Sequence, residues 1–392
     1  MSTPKILLTE LPWDDRYRLA SVDDVLTPAL LLYPDAIAAN IERTVQLLDG
    51  DPARWRVHVK TAKLAYTFRM YLDRGLRYFK CATTLELLMA CREGAHDVLL
   101  AYPVMGANAQ RACEIAAQFP RTKISVLIEN ETQLLPWRGS TVGIFVDINS
   151  GMNRTGIEPD HADRVLQLAR AVRHAGLEFR GLHFYDGHLG GVAEPERTAA
   201  AHAGYDTLLR IVAQLENNSL AVREVITSGT PAFPCSLSYT GFRSGKFAHR
   251  ASPGTVVYND ATSLAQLPEL RYQAAALVLA RVVSHPRPGI ITCDAGHKAV
   301  SADAGVPTCL VVGHPELTPL TPSEEHLPIA VRDGAAAPHV GDTLFLLPRH
   351  VCPTVNNFDH ALLIRDGQIL AQENVSARGH EAPLLATSSA KI

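Results

Sequence analysis

From Thr27 onward, short apolar runs alternate with amphipathic stretches of helical period, and the rhythm holds for about 230 residues. It opens with Ala29-Leu30-Leu31-Leu32-Tyr33, followed by a helix from Pro34-Asp35 that puts Ile37, Ile41, Val45 and Leu48 on one face. Further strands are expected at Arg56–Lys60, Tyr78–Cys81, Asp97–Leu100, Ile124–Ile128, Val142–Asp147, Phe179–Tyr185 and Val225–Ser228. Helices such as Ala162–Ala175 and Glu196–Leu215 separate them. Strands this short and apolar suit a parallel sheet buried on both faces. About eight such units favour a closed barrel over an open doubly wound sheet.

After about residue 265 the helices stop recurring. Ala274–Val283, Ile290–Cys293, Thr308–Gly313, Thr343–Leu347 and Ala361–Ile364 read as short strands between Pro- and Gly-rich turns. The expected α/β architecture is a (β/α)8 TIM barrel over residues 25–265, then an antiparallel β domain over 266–392 joined by residues 1–24.

Composition narrows the function classes. Net charge is −3 among 392 residues, and no basic cluster is present, which argues against a nucleic-acid partner. No apolar run approaches the ~18 residues of a membrane span. The first eight residues, soon followed by Glu10, Asp14 and Asp15, do not read as a secretory signal. Seven cysteines form no close CxxC pair, so reduced thiols in a cytoplasmic protein are expected.

In a βα barrel, chemistry gathers where the strands end. Lys60 closes one strand, and a lysine that loses hydration at a barrel mouth can form an imine. Lys63 and Lys80 are weaker rivals, one inside a helix and one inside a strand. The loop Asp147–Gly156 carries Arg154, suited to a cofactor ring or a substrate carboxylate, or else only to the surface. His183, Tyr185 and His188 cross another strand end, where a tyrosine can flank a flat ring and a histidine can carry a proton. Thr227-Ser228-Gly229-Thr230 is small, hydroxylated and bendable, as a phosphate-binding turn must be. His350 and Cys352 stand two apart on what reads as an extended segment, either as ligands of one divalent metal or as a buried thiol beside a surface ring.

Five motifs fall in order: His58-Val-Lys60-Thr61-x-Lys63, Asn153-Arg154-Thr155-Gly156, Tyr185-Asp-Gly-His188, Thr227-Ser228-Gly229-Thr230 and His350-Val-Cys352-Pro-Thr-Val-Asn356. Together they resemble the D-threonine aldolase and D-serine dehydratase family, whose barrel is of the alanine racemase type. The resemblance runs from about residue 20 to residue 375. It implies pyridoxal 5'-phosphate, a homodimer with active sites near the subunit interface, and a small 3-hydroxy amino acid as substrate. Lys60 then looks like the Schiff-base lysine, Arg154 like a residue near the pyridine ring, and Tyr185 like a cofactor or substrate contact. Ser228, Gly229 and Thr230 look like phosphate binders, with Tyr258 as a further contact. His350 and Cys352 look like ligands of zinc, manganese or magnesium, and His188 like a base near the substrate's hydroxyl.

Two lyase reactions are compatible with this set. Retro-aldol cleavage of D-threonine to glycine and acetaldehyde is the first expectation. Dehydration of D-serine or 3-hydroxy-D-aspartate to a 2-oxo acid is the alternative. Family aldolases commonly carry aspartate where Cys352 stands, so the cysteine leans toward zinc and dehydration. Pro353–Asn356 looks more like the aldolases, and Ala62 replaces a histidine common in both groups. A racemase is a third reading. A vitamin-B6 carrier with the same barrel would lack residues 266–392, and their presence argues against it.

Overall fold

The computed structural model describes residues 15–385; most of the segment 1–24 expected to join the β domain therefore lies outside the described residues. Two units are distinguished. One takes in the chain up to Thr44, Thr61–Met70 and Thr255–Arg378, the other Val45–Lys60, Tyr71–Gly254 and the chain from Gly379.

The first strand, β1 (Ala29–Leu32), does not enter the barrel, contrary to expectation. The barrel is built from β2 (Arg56–His58), β3 (Tyr78–Cys81), β4 (Asp97–Leu100), β5 (Lys123–Ile128), β6 (Gly143–Ile148), β7 (Phe179–Phe184), β8 (Glu224–Thr227) and β9 (Ala248–Ala251). They pair in that order, all parallel. A parallel bridge between Trp55 and Ala251 returns the last strand to the first. Eight strands are present as expected, but β9 takes the place assigned to β1. It escaped sequence reading because Ala248-His249-Arg250-Ala251 is polar where a buried strand is expected to be apolar.

The polarity has a cause inside the barrel. Arg56 forks onto Glu224 (Nε–Oε1 2.6 Å, Nη2–Oε2 2.8 Å) and reaches Asp97 Oδ1 at 2.9 Å. Arg180 binds Asp97 Oδ2 at 2.6 Å, and Arg250 binds Glu224 Oε2 at 2.8 Å while lying 3.5 Å over the Tyr78 ring. All five charged side chains are buried. Burial works against both the Arg56 cation and the Asp97 anion, but their pairing outweighs it, raising Arg56 and holding Asp97 down to about 2. Above this floor lie Leu99, Leu127, Phe145 and Ile226, an apolar layer.

The other unit holds β10 (Ala276–Arg287), β11 (Ile290–Cys293), β12 (Cys309–Val311), β13 (Leu317–Pro319), β14 (Leu327–Val331), β15 (Thr343–Pro348), β16 (His360–Arg365) and β17 (Gln368–Asn374). The sheet runs β13-β14-β11-β10-β1-β16-β17, with β15 also beside β10 and β12 beside β15. It is antiparallel except where β1 lies parallel to β16. Leu30, Leu31 and Leu32 are fully or almost fully buried there. An apolar strand covered on both faces has the same pattern in either sheet, so periodicity alone could not choose its partner. Among the described residues no helix is long and apolar enough to cross a membrane.

Candidate active site

The loop after β6 is organised by Asn149. Its Oδ1 accepts from the backbone N–H of Gly151 (3.1 Å) and Asn153 (3.0 Å), while its Nδ2 donates to Glu158 Oε1 at 2.8 Å. Gly156 must be glycine: φ is +103°, and a Cβ would lie 2.5 Å from Asn149 N. The turn delivers Arg154 over the Tyr185 ring, 4.9 Å from guanidinium carbon to ring centroid. His188 follows in the 3-10 turn Gly187–Gly191, its Nε2 so near Gly151 that a Cβ there would lie at 3.2 Å. Partial burial lowers its proton affinity, which favours the neutral imidazole a general base requires.

Tyr185 also meets the turn after β8. A Cβ on Gly229 would lie 2.8 Å from the ring. Gly229 N–H donates to Asp186 Oδ1 at 3.1 Å, and Tyr205 donates its hydroxyl to Asp186 Oδ2 at 2.6 Å. Burial nevertheless raises Asp186 to about 6. Ser228 adopts φ +58°, and its Oγ is buried without a hydrogen-bond partner among the described residues. A buried hydroxyl left unpaired costs about 1–3 kcal/mol unless a ligand satisfies it. A turn of small residues with that orphaned hydroxyl and a buried Thr230 fits a phosphate group.

Lys60 lies in the turn that follows β2, partly buried, its N–H 3.4 Å from His58 Nδ1. Sequence reading undervalued its neighbour in β3. Lys80 is 2% exposed, 3.5 Å from His183 Nε2 and 5.5 Å from the centroid of the Tyr185 ring. His183 Nδ1 donates to Asp147 Oδ1 at 2.7 Å, and Thr155 donates its hydroxyl to Asp147 Oδ2 at 2.7 Å. Alternation along β7 turns His183 inward, yet nothing in the sequence pairs it with Lys80, 103 positions away.

In the other unit, the expected extended segment at His350 and Cys352 is instead a helix start. His350 is the N-cap of the helix Val351–Asn356, and Pro353 is tolerated in its first turn because the N–H there needs no helical acceptor. The two side chains still influence each other, the Cys352 thiol favouring a proton on His350. His350 Nδ1 donates to Asp303 Oδ2 at 2.6 Å, and Cys352 Sγ lies 3.0 Å from Thr61 Oγ1. Burial opposes the imidazolium, but Cys352 and Asp303 outweigh it and push His350 up to about 9. Imidazole and thiol are donor types suited to a divalent cation, which would have to displace that proton. Among the described residues no three His, Cys, Asp or Glu side chains gather in metal-holding positions, so His350 and Cys352 stand as a pair. Tyr258 is fully buried; its hydroxyl is 2.8 Å from Thr67 Oγ1 and donates to Ala62 O at 3.4 Å.

The comparisons with known proteins show the barrel to be that of a fold-type III pyridoxal-phosphate enzyme. Residues 32–260 match the model of the alanine racemase N-terminal domain, and residues 275–364 that of a putative serine dehydratase domain. A D-threonine aldolase of Arthrobacter sp. is 30% identical over 373 residues, 92% of this chain and 94% of that protein. A 3-hydroxy-D-aspartate aldolase of Paracoccus denitrificans is 28% identical, over 91% and 93% of the two chains. The crystal structure of the D-threonine aldolase from Filomicrobium marinum superposes with a TM-score of 0.82 at 28% identity, covering 91% of this chain and 96% of that one. The chain belongs to the D-threonine aldolase and D-serine dehydratase family and is a pyridoxal-phosphate-dependent lyase.

Proposed function

We propose that the protein is a divalent-metal-dependent lyase of 3-hydroxy-D-amino acids, with retro-aldol cleavage of D-threonine to glycine and acetaldehyde as its reaction. The observation that carries the reading is the His350–Cys352 pair, its imidazole oriented by Asp303, in a chain 30% identical to a D-threonine aldolase. A racemase moves only the Cα proton and has no use for a metal directed at a hydroxyl.

Lys60 is assigned to hold the cofactor, Ser228, Gly229 and Thr230 its phosphate, and Arg154 and Tyr185 its ring and the substrate carboxylate. Pyridoxal phosphate, when bound, withdraws electrons from whichever bond breaks at the substrate's Cα. A zinc, manganese or magnesium ion on His350 and Cys352 would lower the pKa of the 3-hydroxyl. His188 Nε2 is assigned to take the hydroxyl proton, which directs cleavage to the Cα–Cβ bond. The turn around Asn149 and Gly156 keeps Arg154 on Tyr185, so the groups that orient substrate are preorganised. Family likeness also supports a homodimer.

A second reading has its own support. The thiolate of Cys352 favours zinc, and the match to the serine dehydratase domain covers this pair. Were Lys60 to remove the Cα proton, the hydroxyl would leave and a 2-oxo acid and ammonia would form. Product analysis by mass spectrometry separates the two, using protein loaded with pyridoxal phosphate and Zn2+ or Mn2+. Glycine and acetaldehyde from D-threonine are expected. Pyruvate from D-serine, or oxaloacetate from D-threo-3-hydroxyaspartate, would install the dehydratase instead. No product from any of the three would sink the lyase assignment.

Asp303 gives a sharper test of the metal pair. Its carboxylate fixes the His350 tautomer and leaves Nε2 for a ligand. Asp303→Ala is expected to weaken metal affinity by about 10- to 100-fold, measured by competition with a chromogenic chelator. Unchanged affinity in both Asp303→Ala and Cys352→Ala would remove this site as the metal's.

A further inference from the structure

We propose that Lys80 is a second proton-exchanging amine of the cofactor site, held in place by His183 and Asp147 and governing how the loaded enzyme responds to pH. The inference rests on the assignment of the cofactor to Lys60.

Lys80 is a lysine with almost no contact with water, on the inner side of β3. A buried ammonium needs acceptors, and here it has one arranged for it. The Asp147 carboxylate accepts from His183 Nδ1, which leaves Nε2 with a free lone pair toward Lys80 Nζ. Thr155, from the loop that carries Arg154, completes the chain on the second Asp147 oxygen. Thus the amine connects by hydrogen bonds to the same loop that clamps Tyr185, and it lies against that ring itself.

The charged groups facing Lys80 come from three elements. Lys60, just beyond β2, and Arg56, within it, oppose its proton; Asp147 at the end of β6 and Asp186 just beyond β7 favour it. His183 is buried, and burial holds it toward the neutral form despite Asp147. Before Lys60 is engaged, desolvation is the largest influence on Lys80 and the charge of Lys60 the next, and together they bring it down to about 7; with Lys60 joined to the cofactor, desolvation is the influence that remains. When protonated, Lys80 is an ammonium that donates to His183; when neutral, it is a free amine able to accept a proton. A fixed structural cation would be expected to stay charged across this range, as Arg56 does on the barrel floor.

The test is a pH titration of the visible spectrum of the holoenzyme from pH 5.5 to 9, since a bound chromophore reports charge that appears beside it. Wild-type protein is expected to show a transition within this range. Lys80→Met should lack it, because no proton is exchanged. Lys80→Arg should lack it too, with its spectrum held at the wild-type low-pH form, because the guanidinium keeps its charge. His183→Gln keeps the amine and should move the midpoint by half a unit or more. It also serves if the Lys80 variants fail to fold. A purely structural lysine would lower the melting temperature in these variants and leave the transition in place, which overturns the proposal. Borohydride reduction followed by peptide mass spectrometry locates the cofactor. Label on Lys60 with an unmoved transition overturns this inference alone. Label elsewhere overturns the cofactor assignment and this inference with it.

Discussion

Lys60→Ala protein, supplied with pyridoxal phosphate, is expected to lack the visible absorbance of covalently held cofactor and to lose activity by about a thousandfold or more. The reason is placement as much as chemistry. Lys60 follows β2 at the barrel's strand-end face, where βα loops supply the chemistry of such folds. Its backbone is anchored beside β3, since Val59 N–H donates to Lys80 O at 2.8 Å. The two other lysines of the region are engaged differently. Lys63 is buried at φ +53°, with its carbonyl accepting from Ala377 N–H. Lys80 lies inside the barrel on His183. Absorbance retained in Lys60→Ala but lost in Lys80→Ala would transfer the cofactor to Lys80, and the whole reading of the barrel mouth would change.

The second large effect is on stability. Glu224→Gln should cost about 3–5 kcal/mol, seen as a fall of roughly 5–10 °C in apparent melting temperature by scanning calorimetry. Glu224 accepts from both Arg56 and Arg250, and without it three buried guanidinium groups face the single carboxylate of Asp97. Arg250 is already the least well served, its Nε unpartnered among the described residues. Adding Arg250→Leu to Glu224→Gln should restore part of the loss, because the uncompensated charge disappears. The pH dependence has a definite sign. Asp97 titrates at about 2 in the folded state and near ~3.9 when unfolded, so its contribution is complete above the unfolded value. It is lost as pH falls toward 2. A melting temperature unchanged by Glu224→Gln would mean that the floor contributes little beyond what apolar packing would.

Much of this protein was legible from its residues alone. The alternating apolar runs placed seven of the eight barrel strands, and Ile290–Cys293 in the second sheet was located to the residue. The motif residues Arg154, Tyr185 and Gly229 were singled out separately, and the fold brings Arg154 and Gly229 to the Tyr185 ring. What the motifs missed were the residues that hold them: Asn149 under Arg154, Asp147 under His183, Asp303 under His350. Asn and Asp are common in loops, and a side chain whose work is to orient another leaves no spacing of its own.

The sequence by itself determined where most of the buried strands lie, where helices alternate with them, and which residue types stand at the strand ends. These are local properties: side-chain period and turn chemistry act within a few residues. Tertiary structure alone decided that β1 lies between β10 and β16, that polar β9 closes the barrel, and that Arg56, Arg180 and Arg250 share the carboxylates of Asp97 and Glu224. It also decided that Lys80 meets His183. Burial reads the same whichever neighbour supplies it, whereas a buried charge is stable only beside a specific partner. Those partners lie tens to hundreds of residues apart and become neighbours only when the barrel closes.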